Sequence, residues 1–322
     1  MAETPVINIT IPVFNRLEKT QLTLLALRKT SQRIPFSVTV VNNGSDAELS
    51  ERLVQFKNDG IIDHLYVLKR NMGIACAANI GWQMLDAPYY MKLDNDVVFT
   101  DKNWCSKIFA LWRHGDPISN IGGADNYAVL SRYEEPLQTE DGPLGTCHTN
   151  LRGHAIIIPK TISDVLGKWS EDYGLYGAED GDYGLRMNIA GFKQYYYHAE
   201  PLLTDLGIGD EAEYSSRNVH KADEHRELFL QKDGLLGLFR VNAILYQICA
   251  RDWKVPLRYK IEDIAKDHTV TLSQYPAYTA FRKNLDTVQD MMSRLFKRGK
   301  KDSIFTPEYI ERFKEILAAK ES

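Results

Sequence analysis

The chain has 322 residues, 44% of them hydrophobic and 25% charged, and a formal net charge of −4. These values exclude a largely disordered chain, and they exclude a dedicated nucleic-acid binder, which would be strongly basic. They fit one large α/β domain of roughly 200–250 residues with an appendage. The charge is uneven. Residues 1–210 carry 19 Lys and Arg against 26 Asp and Glu, whereas residues 211–322 carry 20 against 17. The four cysteines, Cys76, Cys105, Cys147 and Cys249, are far apart and form no C-x-x-C pair. A zinc ribbon or disulfide scaffold is therefore disfavoured, and a reducing compartment is expected. The opening MAETPVINITIPVF has no basic start before an apolar run, and no stretch of about 18 apolar residues follows anywhere. Neither a signal peptide nor a transmembrane helix is expected.

In chain order, Val6–Val13 reads as a β-branched strand, and Leu17–Arg28 as a helix with Leu22, Leu25 and Leu27 among polar residues. Phe36–Val41 is a buried strand that runs into the turn cluster Asn42-Asn43-Gly44-Ser45-Asp46. Ala47–Phe56 is a helix, Asp63–Lys69 a strand, Ile74–Leu85 a helix of small residues, and Tyr89–Leu93 a strand ending at Asp94-Asn95-Asp96. This alternation predicts an α/β fold with a mostly parallel sheet flanked by helices. In open sheets of this kind, the loops at the carboxyl ends of the strands build the ligand site. Beyond Asp96 the pattern loosens. It gives helices at Trp104–Trp112 and Tyr183–Ala190 and strands at Leu151–Pro159 and Phe192–Tyr197. From Glu211 onward the pattern is mainly helical, with Phe281, Leu285, Val288, Met292 and Leu295 on one face. The expected division is an α/β domain over 1–210 and a mainly helical C-terminal region over 211–322.

Three segments carry chemistry. Asp94 and Asp96 stand two apart, so in a strand or tight turn both carboxylates face one way and repel unless a cation lies between them. Hard divalent ions such as Mg²⁺ or Mn²⁺ take carboxylate oxygens and bridge phosphates. The same triplet also reads as a turn that caps the next helix. The cluster Tyr176-Gly177-Ala178-Glu179-Asp180-Gly181-Asp182 reads as the acidic first turn of a helix, with Asp182 and Arg186 as an i,i+4 ion pair. Alternatively, one of its carboxylates serves as a general base for an acceptor hydroxyl. The amides of Asn42 and Asn43 suit either a planar base or a plain turn. The small residues after Arg70-Asn71-Met72-Gly73 suit either ligand contact or close helix packing.

Five segments together resemble the family 2 glycosyltransferases of the GT-A (Rossmann-like) fold. They are IPVFNR (Ile11–Arg16), VVNNGSD (Val40–Asp46), RNMGIACAANIGW (Arg70–Trp82), LDNDVVF (Leu93–Phe99) and GAEDGDYGLR (Gly177–Arg186). The resemblance covers about residues 5–210. It implies that Ile11, Pro12, Phe14, Asn42 and Asn43 line a nucleoside pocket, and that Asn71, Gly73 and Asn79 lie around the nucleotide-sugar. It places Asp94 near the ribose or sugar hydroxyls and makes Asp96 a ligand of Mn²⁺ or Mg²⁺. It makes Asp180 the base, with Glu179 as acceptor contact or second candidate. For the further metal ligand, Asp205 is preferred over His198.

The processive members' Q-x-x-R-W motif is not supplied by Arg251-Asp252-Trp253. The resemblance thus implies a metal-dependent, inverting, non-processive enzyme. It would move one sugar from a nucleoside-diphosphate sugar to a saccharide, lipid-linked or other hydroxyl acceptor, in polysaccharide or glycoconjugate assembly in the cytoplasm. The loop Leu206–Asn218 is expected to close over the donor. Lys297, Arg298, Lys300 and Lys301 are candidates for peripheral membrane contact at the inner face, or a plain solvated helix end. A sugar nucleotidyltransferase lacks support because its Gly-rich phosphate loop is not seen near Ile11–Leu22. A Rossmann dehydrogenase lacks its G-x-G-x-x-G after the first strand. A non-catalytic nucleotide-sugar or carbohydrate-binding protein would not need both Asp96 and Asp180.

Overall fold

The structure is a computed structural model that describes residues 6–30, 33–111, 118–122, 136–139, 142–146, 153–171, 173–177, 179–197, 202–207, 246, 254–276 and 278. The first half alternates as expected. It runs β1 (Ile7–Val13), α1 (Leu17–Arg28), β2 (Phe36–Asn43), α2 (Ala47–Asn58), β3 (His64–Leu68), α3 (Ile74–Met84) and β4 (Tyr89–Leu93). After it come β5 (Val97–Phe99), α4 (Trp104–Leu111), β6 (Ile118–Gly122), β7 (Pro136–Thr139), β8 (Gly142–Thr146) and β9 (Ala155–Pro159). Then follow α5 (Lys160–Leu166), α6 (Glu179–Ile189), β10 (Lys193–Tyr197), β11 (Leu203–Asp205) and the pair β12 (Tyr259–Ile264) and β13 (Val270–Gln274).

Nine strands form one sheet in the order β3-β2-β1-β4-β9-β6-β10-β8-β7. The β3-β2-β1-β4 half is parallel, with Ile7 opposite both Phe36 and Tyr89. The far half is mixed, because β9 runs antiparallel to both β4 and β6. Helices cover both faces. On one, Leu24, Leu27, Leu49, Leu53 and Phe56 pack against Ile9, Val38 and Met91. On the other, Ala78 and Trp82 pack with Ile156, Ile158, Leu166, Tyr183 and Met187. Ile157 faces the first core while Ile156 and Ile158 face the second, the period-two alternation of a strand buried on both sides.

The small residues of α3 serve packing. A side chain at Gly81 would collide with Thr10 of β1, so only glycine lets this helix lie so close to the sheet. Asn8, also on β1, donates to the carbonyls of Gly81 (2.9 Å) and Leu85 (3.0 Å).

Two stretches differ from the sequence reading. Helix α6 begins at Glu179, four residues before the expected start, so the whole acidic cluster from Glu179 to Asp182 is its first turn. The described part of 211–322 is chiefly a β-hairpin, β12–β13, turned through His268 in the left-handed region. It closes the β3 edge of the sheet: the Val67 N–H donates to the His268 carbonyl at 2.9 Å. Gln83 of α3 donates to the Tyr259 carbonyl at 3.2 Å. The helical face at Phe281–Leu295, the basic residues Lys297–Lys301, His198 and residues 208–218 of the expected lid lie outside the described residues. Among the described residues no helix is long and apolar enough to cross a membrane.

Candidate active site

The carboxyl ends of β1, β2, β3 and β4 are joined to one another by side-chain hydrogen bonds. The Asn15 N–H after β1 donates to the Ser45 hydroxyl (3.0 Å), and the Asp46 N–H donates back to the Asn15 side chain (3.1 Å). Asn43 at the end of β2 donates to Asn71 Oδ1 (2.9 Å) and to the Gly73 carbonyl (3.2 Å), and accepts from the Met72 N–H (2.8 Å). Asn95 after β4 donates to Thr20 Oγ1 (2.8 Å) and to the Asn15 carbonyl (3.2 Å). The four loops therefore form one edge, where open α/β sheets bind ligands.

Several residues expected to touch a ligand are instead consumed by this stitching. Asn42 is buried, donating to Ser50 Oγ (2.9 Å) and accepting from the Ser45 N–H (3.0 Å). The side chains of Asn43 and Asn71 join β2 to the loop after β3, as described above. Gly73 has φ of +94°, and the space beside it is filled by the Gly174 backbone. Asn79 is buried; its amide donates to the Trp169 carbonyl (2.9 Å) and Glu171 Oε1 (2.9 Å) and accepts from the Trp169 N–H (3.0 Å). The amides of Asn42 and Asn79 are both hydrogen-bonded inside the chain. Every amide atom already has a partner within the chain, and leaving one unpaired in the interior would cost about 1–3 kcal/mol. Ile11 and Pro12 are buried in β1, whereas Phe14 is 39% exposed beyond its end.

The acids gather in two groups. In the first, β11 pairs antiparallel with β5 and sets Asp205 opposite Val97, next to Asp96. The Leu206 N–H donates to the Asp96 carbonyl at 2.8 Å. A Cβ placed on Gly207 would stand 2.5 Å from Asp96 Oδ2 and 3.1 Å from Asp205 Oδ1. Both carboxylates thus face one small space that only a glycine leaves open. Burial, and then the adjacent Asp94, push the Asp96 carboxyl up to about 6 against the pull of Arg16, whose guanidinium is bonded to it. Two carboxylate oxygen donors that repel one another fit a hard divalent ion such as Mn²⁺ or Mg²⁺. Among the described residues no third His, Cys, Asp or Glu joins them.

In the second group, Asp180 accepts from the Gly153 N–H (2.9 Å) and the Gly181 N–H (2.7 Å). Glu179 beside it is buried, and its Oε2 has no hydrogen-bond partner among the described residues. Burial and then Asp180 push the Glu179 carboxyl up to about 7, while Asp180 is raised by burial and restrained by Lys92 and its two N–H donors. Asp182 faces away from these acids. With no exposed surface, it accepts from Tyr173 Oη (2.7 Å), Tyr246 Oη (2.9 Å) and Arg186 Nε (2.8 Å).

Lys92, which the sequence reading passed over as part of an apolar strand, links these acids. Its ammonium is buried and donates to Asp94 Oδ1 (2.8 Å) and the Gly153 carbonyl (2.6 Å). Burial alone would lower its pKa, but Asp94, Glu179 and Asp180 hold it above the ordinary lysine value.

Residues 8–168, half of the chain, match the glycosyl transferase family 2. The chain belongs to this family. An uncharacterized glycosyltransferase from Rickettsia bellii is 34% identical over 94 residues, a match spanning 29% of this chain and 13% of that protein. The mannosyltransferase PcManGT from Pyrobaculum calidifontis, solved with GDP-Man and Mn²⁺, aligns over 98% of this chain and 85% of its own. Its TM-score is 0.51 at 11% identity, which shows a shared GT-A fold. Staphylococcus aureus TarS aligns over 76% of this chain and 49% of its own, with a TM-score of 0.49 at 14% identity. Of the acids described above, Asp94 and Asp96 lie within the matched region together with Lys92, whereas Glu179, Asp180 and Asp205 lie beyond it.

Proposed function

We propose that the chain is a metal-dependent glycosyltransferase that moves one sugar from a nucleoside-diphosphate sugar to an acceptor hydroxyl, with inversion at the anomeric carbon. The observation that carries this reading is the separation of the acids into two groups of different chemistry on one sheet edge. Asp96 and Asp205 face a space with oxygen donors for a divalent ion, and Asp180 stands apart with two N–H donors on its carboxylate. Family membership and the GT-A fold shared with PcManGT, which holds GDP-Man and Mn²⁺, support it.

Mn²⁺ or Mg²⁺ at Asp96 and Asp205, when bound, neutralises charge on the departing diphosphate. The chain's own residues do the rest. Asp94, with 24% of its side chain exposed, is placed for a ribose or sugar hydroxyl. Phe14 offers an exposed aromatic face to the base, whose edge is read by main-chain groups because the Asn42 and Asn43 amides are already engaged. Asp180 accepts the proton as the acceptor oxygen donates its electron pair to the anomeric carbon and the bond to the diphosphate oxygen breaks.

Of the two neighbouring acids, Asp180 is the better base. Two N–H bonds and the Lys92 charge favour its anion, whereas burial with an unpaired oxygen favours a proton on Glu179. Glu179 then stays beside the acceptor as a neutral contact. A non-processive reaction on a saccharide or lipid-linked hydroxyl matches the missing Q-x-x-R-W motif.

The test is a thermal-shift panel of UDP- and GDP-sugars with Mn²⁺, with Mg²⁺ and with chelator. At least one donor is expected to raise the Tm only in the presence of the ion. A panel in which no donor shifts the Tm under any of these conditions would overturn the reading.

A further inference from the structure

Lys92 bonds to Asp94 and lies near Glu179 and Asp180, and its position is unusual for a lysine. It lies in the middle of β4, in register with Thr10 of β1 on one side and Ile156 of β9 on the other. Tyr90, Met91 and Leu93 around it are buried, and its own side chain is 1% exposed. A buried ammonium carries a desolvation cost of several kcal/mol, offset only by well-placed partners. Those partners come from three elements. Asp94 lies two residues on, at the end of β4. Glu179 and Asp180 come from the first turn of α6. Gly153, just before β9, brings a carbonyl and no charge.

Gly153 is the joint. Its carbonyl accepts from Lys92 and its N–H donates to Asp180 Oδ2. A Cβ at this position would stand 3.1 Å from Lys92 Nζ and 3.1 Å from Asp180 Oδ2. Two atoms that share one neighbouring point at that distance are at most twice that far apart. A side chain here would press on both the ammonium and the carboxylate, which would have to give by a few tenths of an ångström.

We propose that Lys92 is a positioning residue that ties the donor-side carboxylate Asp94 to the base Asp180 through Gly153 and supplies the positive charge that keeps the base ionised. This rests on the reading of Asp180 as the base. Lys92 does not touch the reacting atoms. It acts through Asp180, and its bond to Asp94 makes the geometry of the acceptor side depend on the donor side. A lysine whose aliphatic stem served packing alone would leave the proton affinity of Asp180 unaltered.

The experiment follows ionisation of the carboxyls in the free protein, with no substrate required. NMR of isotope-labelled Asp and Glu carboxyl carbons is recorded from about pH 4 to pH 9, and the Asp180 signal is assigned by its loss in Asp180→Asn. In Lys92→Met the midpoint for the Glu179–Asp180 pair is expected to rise by about one pH unit or more, a tenfold or larger gain in proton affinity. Lys92→Arg, which keeps the charge, is expected to return it to within about half a unit of wild type. An unchanged midpoint in Lys92→Met overturns the proposal.

If Lys92→Met does not fold, Lys92→Met/Glu179→Gln removes one buried charge of each sign and is titrated against Glu179→Gln under the same criterion. The base reading fails separately. If Asp180→Asn retains transfer of a donor that wild type turns over, Asp180 is not the base, whatever the Lys92 titration shows.

Discussion

The Arg16 guanidinium is bonded directly to the carboxylate of Asp96, the residue placed to hold a divalent ion. The backbone is bent to make this contact. Asn15 (φ 56°) and Arg16 (φ 66°) are consecutive non-glycine residues in the left-handed region, a conformation that costs roughly 1–2 kcal/mol per residue. Asn15 donates to Ser45 and accepts from Asp46 and Asn95, which holds them there. Arg16 thus supplies the positive charge beside Asp96 that a bound ion would otherwise supply, and the two compete for one carboxylate. Arg16→Gln is therefore expected to tighten Mn²⁺ binding to the free protein by about fivefold, on the scale of 1 kcal/mol for one ion pair removed. Calorimetric titration with Mn²⁺ checks this, and weaker binding in the variant would show that Arg16 assists the ion instead.

Gly207 gives a cleaner probe of the same space. Its φ lies outside the left-handed range, so alanine is tolerated by the backbone. The added methyl would stand 2.5 Å from Asp96 Oδ2, and that carboxylate must swing away. Gly207→Ala is expected to weaken Mn²⁺ affinity by at least about tenfold while thermal unfolding without metal shifts by less than about 1 kcal/mol. Retention of wild-type Mn²⁺ affinity would place the ion elsewhere.

Asp180→Asn tests the base. The amide keeps the size of the side chain and an oxygen for one of the Gly153 and Gly181 N–H groups, but it cannot take a proton. General-base catalysis contributes about 10²–10⁴-fold, so kcat is expected to fall by that amount. Donor affinity, measured by the metal-dependent thermal shift, is expected to stay within about threefold, because the proton is taken on the acceptor side. A matched loss of donor binding would move Asp180 into the donor site.

The order of elements from β1 to β4 was legible because each carries its own period and each strand ends in a loop of Asn, Gly or Asp. The acidic run Glu179–Asp182 was legible as the first turn of a helix, but the apolar period placed the helix start only at Tyr183, because Gly181 and Asp182 are weak helix formers. Acids in the first turn gain from the helix dipole, which offsets that weakness. Strands β5 and β11, three residues each, are too short to show a pattern. The β12–β13 hairpin has the alternating apolar residues Val270 and Leu272, but the charged, helix-like composition around it masked them.

At the site, Asn42, Asn43 and Asn79 were readable as amides but not as inward-facing ones. Only the fold decides whether an amide meets its own chain or a ligand. Lys92 was missed for a related reason. A lysine in a strand reads as solvent-exposed, and the groups that surround its ammonium include Gly153 and the first turn of α6, both far away in sequence.

The Glu179 carboxyl gives a pH signature. Burial, and then Asp180, raise it from an ordinary 4.5 to about 7, so the folded protein holds this proton more tightly than the unfolded chain does. Its stabilising contribution is complete below about pH 4.5 and is lost as pH rises through about 7. Gln at this position is neutral throughout and escapes the loss. Between pH 5 and pH 8, Glu179→Gln is therefore expected to gain stability relative to wild type, on the order of 3 kcal/mol. Urea unfolding at the two pH values measures this, and a constant difference between the two proteins would show that Glu179 ionises in the folded state as it does in water.

Asp182 and Arg186 show how the last motif divides. Both side chains have no exposed surface. Arg186 donates through Nε to Asp182 Oδ1, through Nη1 to the Leu166 carbonyl (2.6 Å) and through Nη2 to the Lys168 carbonyl (2.9 Å). The pair thus fastens α6 to the end of α5 and to the chain leading into Trp169, and so fixes the helix whose first turn presents Glu179 and Asp180. Breaking a buried pair from one side leaves an uncompensated charge and costs about 3–5 kcal/mol. Arg186→Met is expected to lower stability by that amount in urea unfolding. In the fraction that stays folded, Mn²⁺ affinity is expected to match wild type, because Asp96 stands just before β5 and Asp205 at the end of β11, not on α6. Unchanged stability, or loss of Mn²⁺ binding at full fold content, would put Arg186 in the site and not beneath it.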